Sequence, residues 1–324
     1  MRAATVRALI TGLNGFVGGH LAEHLLHQGW HVSGIALTGE LTLASLQGRV
    51  DLLAANLLDR RAVQRALEHA RPDVIFHLAA QAHVPTALSD PVATITNNLL
   101  GQLHLLEALR SLALNVMMVV ACTSEEYGAV RPEELPVGET TPLRPNNPYA
   151  LSKVAQDMLA LQYFLGYGTR TVRLRLFNHI GPRQGDAFVV GAFAHQIARI
   201  EAGKQEPVVR VGNLAARRDF TDVRDIVRAY ELAALHGEPG EVYNVGTGQA
   251  VAIGDLLHTL IGLSTATIQV QPDPERMRPV DVPVIACDAS RFRTRTGWAP
   301  AIPLERTLAD ILDDWRARVM YERK

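Results

Sequence analysis

Cysteine is almost missing from this chain. Cys122 and Cys287 are the only two in 324 residues, too few for a disulfide framework and suited to a reducing compartment. A charge imbalance is missing as well: 32 lysines and arginines nearly cancel 33 aspartates and glutamates, so no overall field recruits nucleic acid or an anionic membrane. No apolar run approaches a membrane span. The opening residues run almost at once into Val6-Arg7-Ala8-Leu9-Ile10, a stretch too short and too charged for a signal peptide. Metal-ligand spacing is absent, so no metal is expected. These absences lead to the expectation of a cytoplasmic globular protein with no nucleic-acid and no membrane partner. What is abundant is core material, 48% hydrophobic residues, enough for one large α/β domain or two ordinary ones.

The chain alternates strand and helix patterns from its start. Arg7 to Thr11 reads as a buried strand, followed by Gly12-Leu13-Asn14-Gly15-Phe16-Val17-Gly18 and a helix through Leu21, Leu25 and Leu26 that stops at Gly29. Glycines there let the backbone turn tightly and let a pyrophosphate approach the amides at the helix N-terminus. Their spacing, Gly-x-x-Gly-x-x-Gly, is one residue longer than the Gly-x-Gly-x-x-Gly fingerprint, and its place at the first strand-to-helix turn favours nucleotide binding over a purely structural turn. A second strand, His31 to Leu37, ends in Ile35-Ala36-Leu37-Thr38. It has neither the acid that binds the ribose of NAD nor the arginine that binds the extra phosphate of NADP. The cofactor is therefore NADP or NAD, and the missing carboxylate removes a repulsion against the phosphate, tilting the choice slightly toward NADPH. Asn56 and Leu57, after a third strand near Val50 to Leu53, are placed to flank an adenine.

Asp73 to Ala80 is a continuous apolar strand ending in Leu78, Ala79 and Ala80, small enough at its end to leave room for a cofactor. His77 within it reads as a hydrogen-bonded core histidine. A helix from Val92 to Arg110 carries leucines at helical spacing, with Asn98 placed to tie it to the cofactor strands. Val116 to Ala121 forms the next strand and leads into Cys122-Thr123-Ser124-Glu125-Glu126-Tyr127-Gly128. A proline-rich loop then delivers Pro148 at the start of a helix holding Tyr149 and Lys153. Residues four apart share one helix face, so the ammonium can favour the phenolate and bring the hydroxyl into range for proton transfer.

Taken together, Gly12 to Gly18, His77-Leu78-Ala79-Ala80, Asn98 with Gly101, Thr123 ahead of Tyr127-Gly128, and Tyr149-x-x-x-Lys153 resemble the extended short-chain dehydrogenase/reductase family of nucleotide-sugar enzymes over essentially the whole chain. The resemblance implies an α/β fold. It would have a doubly wound parallel (Rossmann) sheet, residues 1–177 and 221–249, and a smaller C-terminal α/β substrate domain, residues 178–220 and 250–324. It implies cofactor contacts from the glycine turn, Asn56, Leu57, Leu78 to Ala80, Asn98, Tyr149, Lys153, His179 and Ile180. Thr123 would hold the sugar 4-oxygen, Tyr149 would exchange its proton, and Lys153 would lower the tyrosine pKa.

Further along, Val211 to Val223 and Lys204-Gln205-Glu206-Pro207 resemble the branch acting on GDP-sugars. There Asn178, Val189, Arg218, Arg278 and Asp281 would contact the substrate, the arginines through a guanidinium fork suited to diphosphate oxygens. Asp281 stands where the family has glutamate. Asp219 is expected to orient backbone or cap the helix from Asp222 to His236, and Trp298 to pack. The implied reaction is NAD(P)H-dependent reduction of the C4 ketone of GDP-4-keto-6-deoxy-D-mannose to GDP-D-rhamnose. The alternative is 4,6-dehydration of GDP-mannose, for which Glu125 would serve as the base at C5; a non-catalytic cofactor sensor would be expected to have lost Thr123, Tyr149 and Lys153. A homodimer packed through the Val92 and Tyr149 helices is also implied.

Overall fold

The computed structural model describes residues 5–277 and 282–322. Its first half alternates β1 (Arg7–Thr11), α1 (Phe16–His27), β2 (His31–Ala36), β3 (Asp51–Ala54), α2 (Arg60–Ala70), β4 (Val74–His77), α3 (Val84–Ser89), α4 (Pro91–Ser111), β5 (Met117–Thr123), α5 (Pro148–Tyr167) and β6 (Thr171–Leu176). The second half contains β7 (Asn178–Ile180), α6 (Val189–Glu201), β8 (Val208–Val211), β9 (Arg217–Asp222), α7 (Val223–His236), β10 (Val242–Val245), β11 (Ala250–Ala252), α8 (Ile253–Gly262), β12 (Gln269–Pro272), α9 (Ser290–Thr296) and α10 (Leu304–Met320).

Seven strands form one sheet in the order β10-β6-β5-β4-β1-β2-β3, and every pairing in it is parallel. Both faces are covered, which is why its strands read as apolar runs. Side chains alternate between faces. Ala8 and Ile10 of β1 therefore join the layer of α1 and α7, where Leu21, Leu25, Ile226 and Tyr230 lie, while Leu9 joins the layer of α2, α4 and α5 with Leu67, Leu105 and Ala160. Strand order reverses between β1 and β4, the switch point at which sheets of this kind form a crevice outside the carboxyl ends of their strands.

The stretch from Arg175 to Pro182 is split between two sheets. β6 ends at Leu176, β7 pairs with β9 in a three-stranded sheet β11-β9-β7, and β10 extends the large sheet beyond β6. β12 and β8 form a separate parallel pair. A second apolar core, from α6, α8 and α10 with Val209 and Phe220, sits under these smaller sheets. The last part of the chain does not stay there: Phe292 and Trp298 are buried in the core of the large sheet. Asp225, 1% exposed, anchors that return by accepting from the amides of Ala301 and Ile302 at 2.8 and 2.9 Å, while Trp298 Nε1 donates to its carbonyl at 3.0 Å.

Asp219 orients backbone, as expected, accepting from the amides of Thr247, Gly248 and Cys287 at 2.9, 2.7 and 3.1 Å. Asp222 is the residue that caps α7. Both cysteines are buried and unpaired.

Candidate active site

The glycine turn is built for close approach. Gly12 has a φ of +75°, and Gly15 N donates to its carbonyl at 2.9 Å, closing the turn before α1. A Cβ on Gly18 would lie 2.3 Å from Gly12 O, and one on Gly12 would lie 3.1 Å from Ala79 of the facing strand end. The turn after β1 and the segment after β4 thus pack backbone to backbone across the crevice. That is the cradle a dinucleotide pyrophosphate needs, bare amides at a helix N-terminus with no side chain in the way.

Around it, Asn14 Nδ2 donates to Glu40 O at 2.8 Å and ties the turn to the loop after β2. Phe16 stacks parallel on His179 with ring centroids 6.2 Å apart, and this brings two expected cofactor residues together from separate elements. Ile180 is buried beside them. Val17 is half-buried in the first turn of α1. Leu57 is fixed against α4, where its carbonyl meets His104 Nδ1 at 2.8 Å, whereas the exposed Asn56 accepts from Leu58 N at 2.9 Å within its own turn.

His77 is the core residue expected. It is 1% exposed and sits between Thr11 Oγ1 at 2.8 Å and Gln156 Nε2 at 3.2 Å. Burial, with Lys153 adding to it, brings its pKa down to about 3, so the ring is neutral. Asn98, 0% exposed, accepts from Gln81 N at 2.8 Å and donates to Gln81 O and Ser152 Oγ at 3.1 and 2.9 Å. It locks α4, the loop after β4 and α5 into one unit.

On the other side of the crevice, β5 ends in Thr123, whose hydroxyl accepts from Glu125 N at 3.3 Å. A 3₁₀ turn, Ser124–Tyr127, follows and closes at Gly128. That glycine is required, because φ is +53° and a Cβ would fall 1.8 Å from Arg144 O. The turn swings Glu125 toward the start of α5, where Asn147 caps the helix through Ala150 N at 2.8 Å and donates Nδ2 to Glu125 Oε2 at 3.3 Å. Pro148 occupies the first helical position, and Tyr149 follows it, half-buried.

Lys153 is 4% exposed and donates Nζ to Ala121 O at 2.8 Å. Its pKa is lowered by burial, with Cys122 and Glu126 opposing. The expected downward pull on Tyr149 is not what the polypeptide shows. Desolvation raises the phenol pKa first, the Glu125 carboxylate raises it further, and the Thr123 hydroxyl opposes them. Tyr149 is therefore a protonated acid at neutral pH, a state suited to giving up a proton.

Three polar residues of this site went unread in the sequence: Asn147, Gln81 and Glu126. Asn147-Pro148 is a capping residue followed by proline, a local signal that could have found the first. Of the substrate residues, Asn178 opens β7 half-buried, and Val189 starts α6 with 39% of its surface exposed. Arg218 donates Nη1 to the carbonyls of Arg217 and Val282 at 2.9 and 2.6 Å. Arg278 and Asp281 lie outside the described residues.

Fold and site define the class, an NAD(P)-dependent enzyme of the extended short-chain dehydrogenase/reductase type acting on nucleotide sugars. Residues 9–311 match the family model described as GDP-mannose 4,6 dehydratase, and the chain belongs to that family. It is 38% identical over 320 residues to GDP-6-deoxy-D-mannose reductase of Pseudomonas aeruginosa, covering 98% of this chain and 100% of that one. It is 31% identical to GDP-mannose 4,6-dehydratase of Vibrio cholerae, with 94% and 92% covered. Among solved structures it superposes with a TM-score of 0.86 on RMD from Pseudomonas aeruginosa complexed with NADPH, at 35% identity over 97% of this chain and 100% of that one. The TM-score is also 0.86 for Thermus thermophilus UDP-glucose 4-epimerase in complex with NAD, at 32% identity over 96% and 99%. Among the described residues, no helix is long and apolar enough to cross a membrane.

Proposed function

We propose that the chain reduces the C4 ketone of GDP-4-keto-6-deoxy-D-mannose to GDP-D-rhamnose, with NADPH preferred over NADH. The observation that carries this reading is the half-buried Tyr149 phenol, which meets the Thr123 hydroxyl at the end of β5 and whose proton desolvation and Glu125 hold in place. Reduction begins by giving a proton to the sugar oxygen, whereas dehydration begins by taking one from it. The higher identity to the reductase relative supports the same direction. The NADPH-bound neighbour and the uncharged Leu37-Thr38 after β2 support the cofactor preference.

Gly12, Gly15 and Gly18 would hold the pyrophosphate, Leu57 the adenine, and Phe16, His179 and Ile180 the nicotinamide end. A reduced nicotinamide, when bound, supplies the hydride for C4. Thr123 holds the ketone oxygen, Tyr149 gives it the proton, and Lys153 on the same helix face steadies the phenolate left behind. Asn178, Val189, Arg218, Arg278 and Asp281 would contact the GDP-sugar, the arginines its diphosphate. In this reading residues 1–177 with 221–249 bind the cofactor and residues 178–220 with 250–324 bind the nucleotide sugar.

Dehydration of GDP-mannose stays as the second reading because Glu125 is oriented by Asn147 and acts electrostatically on Tyr149. A transfer experiment separates the two. NADPH carrying deuterium at its transferable position should leave that deuterium at C4 of the product, as read by NMR; a product formed without it overturns the reductase reading.

Cytoplasmic residence and a homodimer belong to the proposal. Exposed Val92, Leu100, Leu151, Met158 and Leu165 on α4 and α5 are apolar surface that a second copy would cover. Light scattering should return twice the chain mass, and the monomer mass would refute the dimer.

A further inference from the structure

We propose that Glu126, a carboxylic acid sealed beneath the active-site turn, is a positioning residue: it sets Thr123, and it holds a proton against Asp157 whose loss slows the reaction at alkaline pH. The inference rests on the reductive reading above. Glu126 is 0% exposed, and its Oε1 accepts from Thr123 N at 3.0 Å. Thr123 is thereby fixed twice, its amide by Glu126 and its hydroxyl oxygen by Glu125 N at 3.3 Å. With one lone pair of Oγ1 engaged, the hydroxyl still has its hydrogen and a second lone pair to offer, and the Tyr149 phenol is the neighbour it meets.

The other oxygen, Glu126 Oε2, is buried with no hydrogen-bond partner. Its nearest cation is Arg175 Nε at 3.3 Å, and that N–H is given to Asp157 Oδ2 at 2.7 Å. Arg173 Nη1 occupies the other Asp157 oxygen at 2.5 Å. Cys122, Glu126 and Asp157 place their polar atoms within 4.8 Å of one another, and both Asp157 oxygens are already taken by the guanidiniums of Arg173 and Arg175. A buried carboxylate oxygen that receives no hydrogen bond and faces a second carboxylate is costly. A proton on Oε2 removes the cost, turning an orphan acceptor into a donor toward Asp157.

The surroundings agree. Glu126 is faced by Cys122 and Thr123 from β5, by Tyr149, Lys153 and Asp157 from α5, and by Arg175 from β6 with Arg173 behind it. Burial, then Asp157, push the Glu126 carboxyl up to about 8, with Arg175 pulling the other way. When the proton leaves, a second carboxylate charge appears beside Asp157 and raises the Tyr149 pKa. A phenol with a raised pKa is a weaker acid toward the ketone oxygen.

The test uses the full chain and two substitutions. Glu126→Met removes the acceptor for Thr123 N and should lower kcat at about pH 7 at least ~10-fold, within the span of a general acid-base effect. Glu126→Gln keeps the acceptor and offers an N–H where the acid offers O–H. It should restore most of that loss, and its kcat should stay flat from about pH 7 to about pH 9, where the parent chain declines. A second readout needs no turnover. Infrared difference spectra between about pH 6 and about pH 10 should show a protonated buried carboxyl disappearing in the parent chain and no such band in Glu126→Gln. An unaltered alkaline decline in Glu126→Gln, or the same carboxyl band in both proteins, overturns the proposal. A chain that shows the band but reduces no 4-keto sugar would fault the reductase reading and leave the protonated Glu126 standing.

Discussion

Replacing Tyr149 with phenylalanine is expected to lower kcat by about 10³, roughly 4 kcal/mol of barrier, while KM for the nucleotide sugar and affinity for NADPH change little. The substitution removes one hydroxyl and keeps the ring, so the packing at the start of α5 and the Asn147 cap are retained. What is lost is the phenol proton that desolvation and the Glu125 carboxylate hold in place beside Thr123. Glu125 is no substitute, since its Oε2 is engaged by Asn147 Nδ2 at 3.3 Å. Steady-state kinetics with calorimetric cofactor binding decide the matter. A Tyr149→Phe protein with near-parental kcat would remove Tyr149 from the chemistry.

A second large effect is expected from Gly18→Ala. The added methyl would meet Gly12 O at 2.3 Å and Leu13 O and Cα at 2.8 and 2.9 Å. All three are backbone atoms that cannot swing aside as a side chain can. Relief requires the turn and the first amides of α1 to part, at about 1–3 kcal/mol by the usual cost of overpacking. Those amides are the ones offered to the pyrophosphate, so NADPH affinity should fall about 100-fold. Gly262→Ala is the matched control: it lies at the end of α8 with nothing within 4 Å of its added carbon, and NADPH should bind it as it binds the parent. Equal affinity in Gly18→Ala would contradict the assignment of the turn.

Much of this architecture could be read from residue order because the signals were local. β1, the glycine turn and α1 follow from an apolar run, bare glycines and a leucine stripe, and Pro148 marks the start of α5 from its own chemistry. The core role of His77 followed from its apolar neighbours, and Asn98 was found because a single amide broke a leucine helix. What could not be read depends on contacts between distant segments. Glu126 looks like any acid in a polar loop until β6 and α5 place Arg175 and Asp157 against it, 49 and 31 residues away in sequence. The Tyr149 pKa was misjudged for a related reason: helical spacing shows the cation four residues on but not the burial that outweighs it. The split of Arg175 to Pro182 turned on where β7 finds a partner, and β9 lies some 40 residues further along.

The most direct measurement offers the purified protein two substrates side by side. With GDP-4-keto-6-deoxy-D-mannose, NADPH absorbance should fall in step with the appearance of a GDP-6-deoxyhexose, and GDP-mannose without added reductant should be returned unchanged. Conversion of GDP-mannose to the 4-keto sugar with no net consumption of NADPH would contradict the account, and would make Glu125 the working base of a dehydratase.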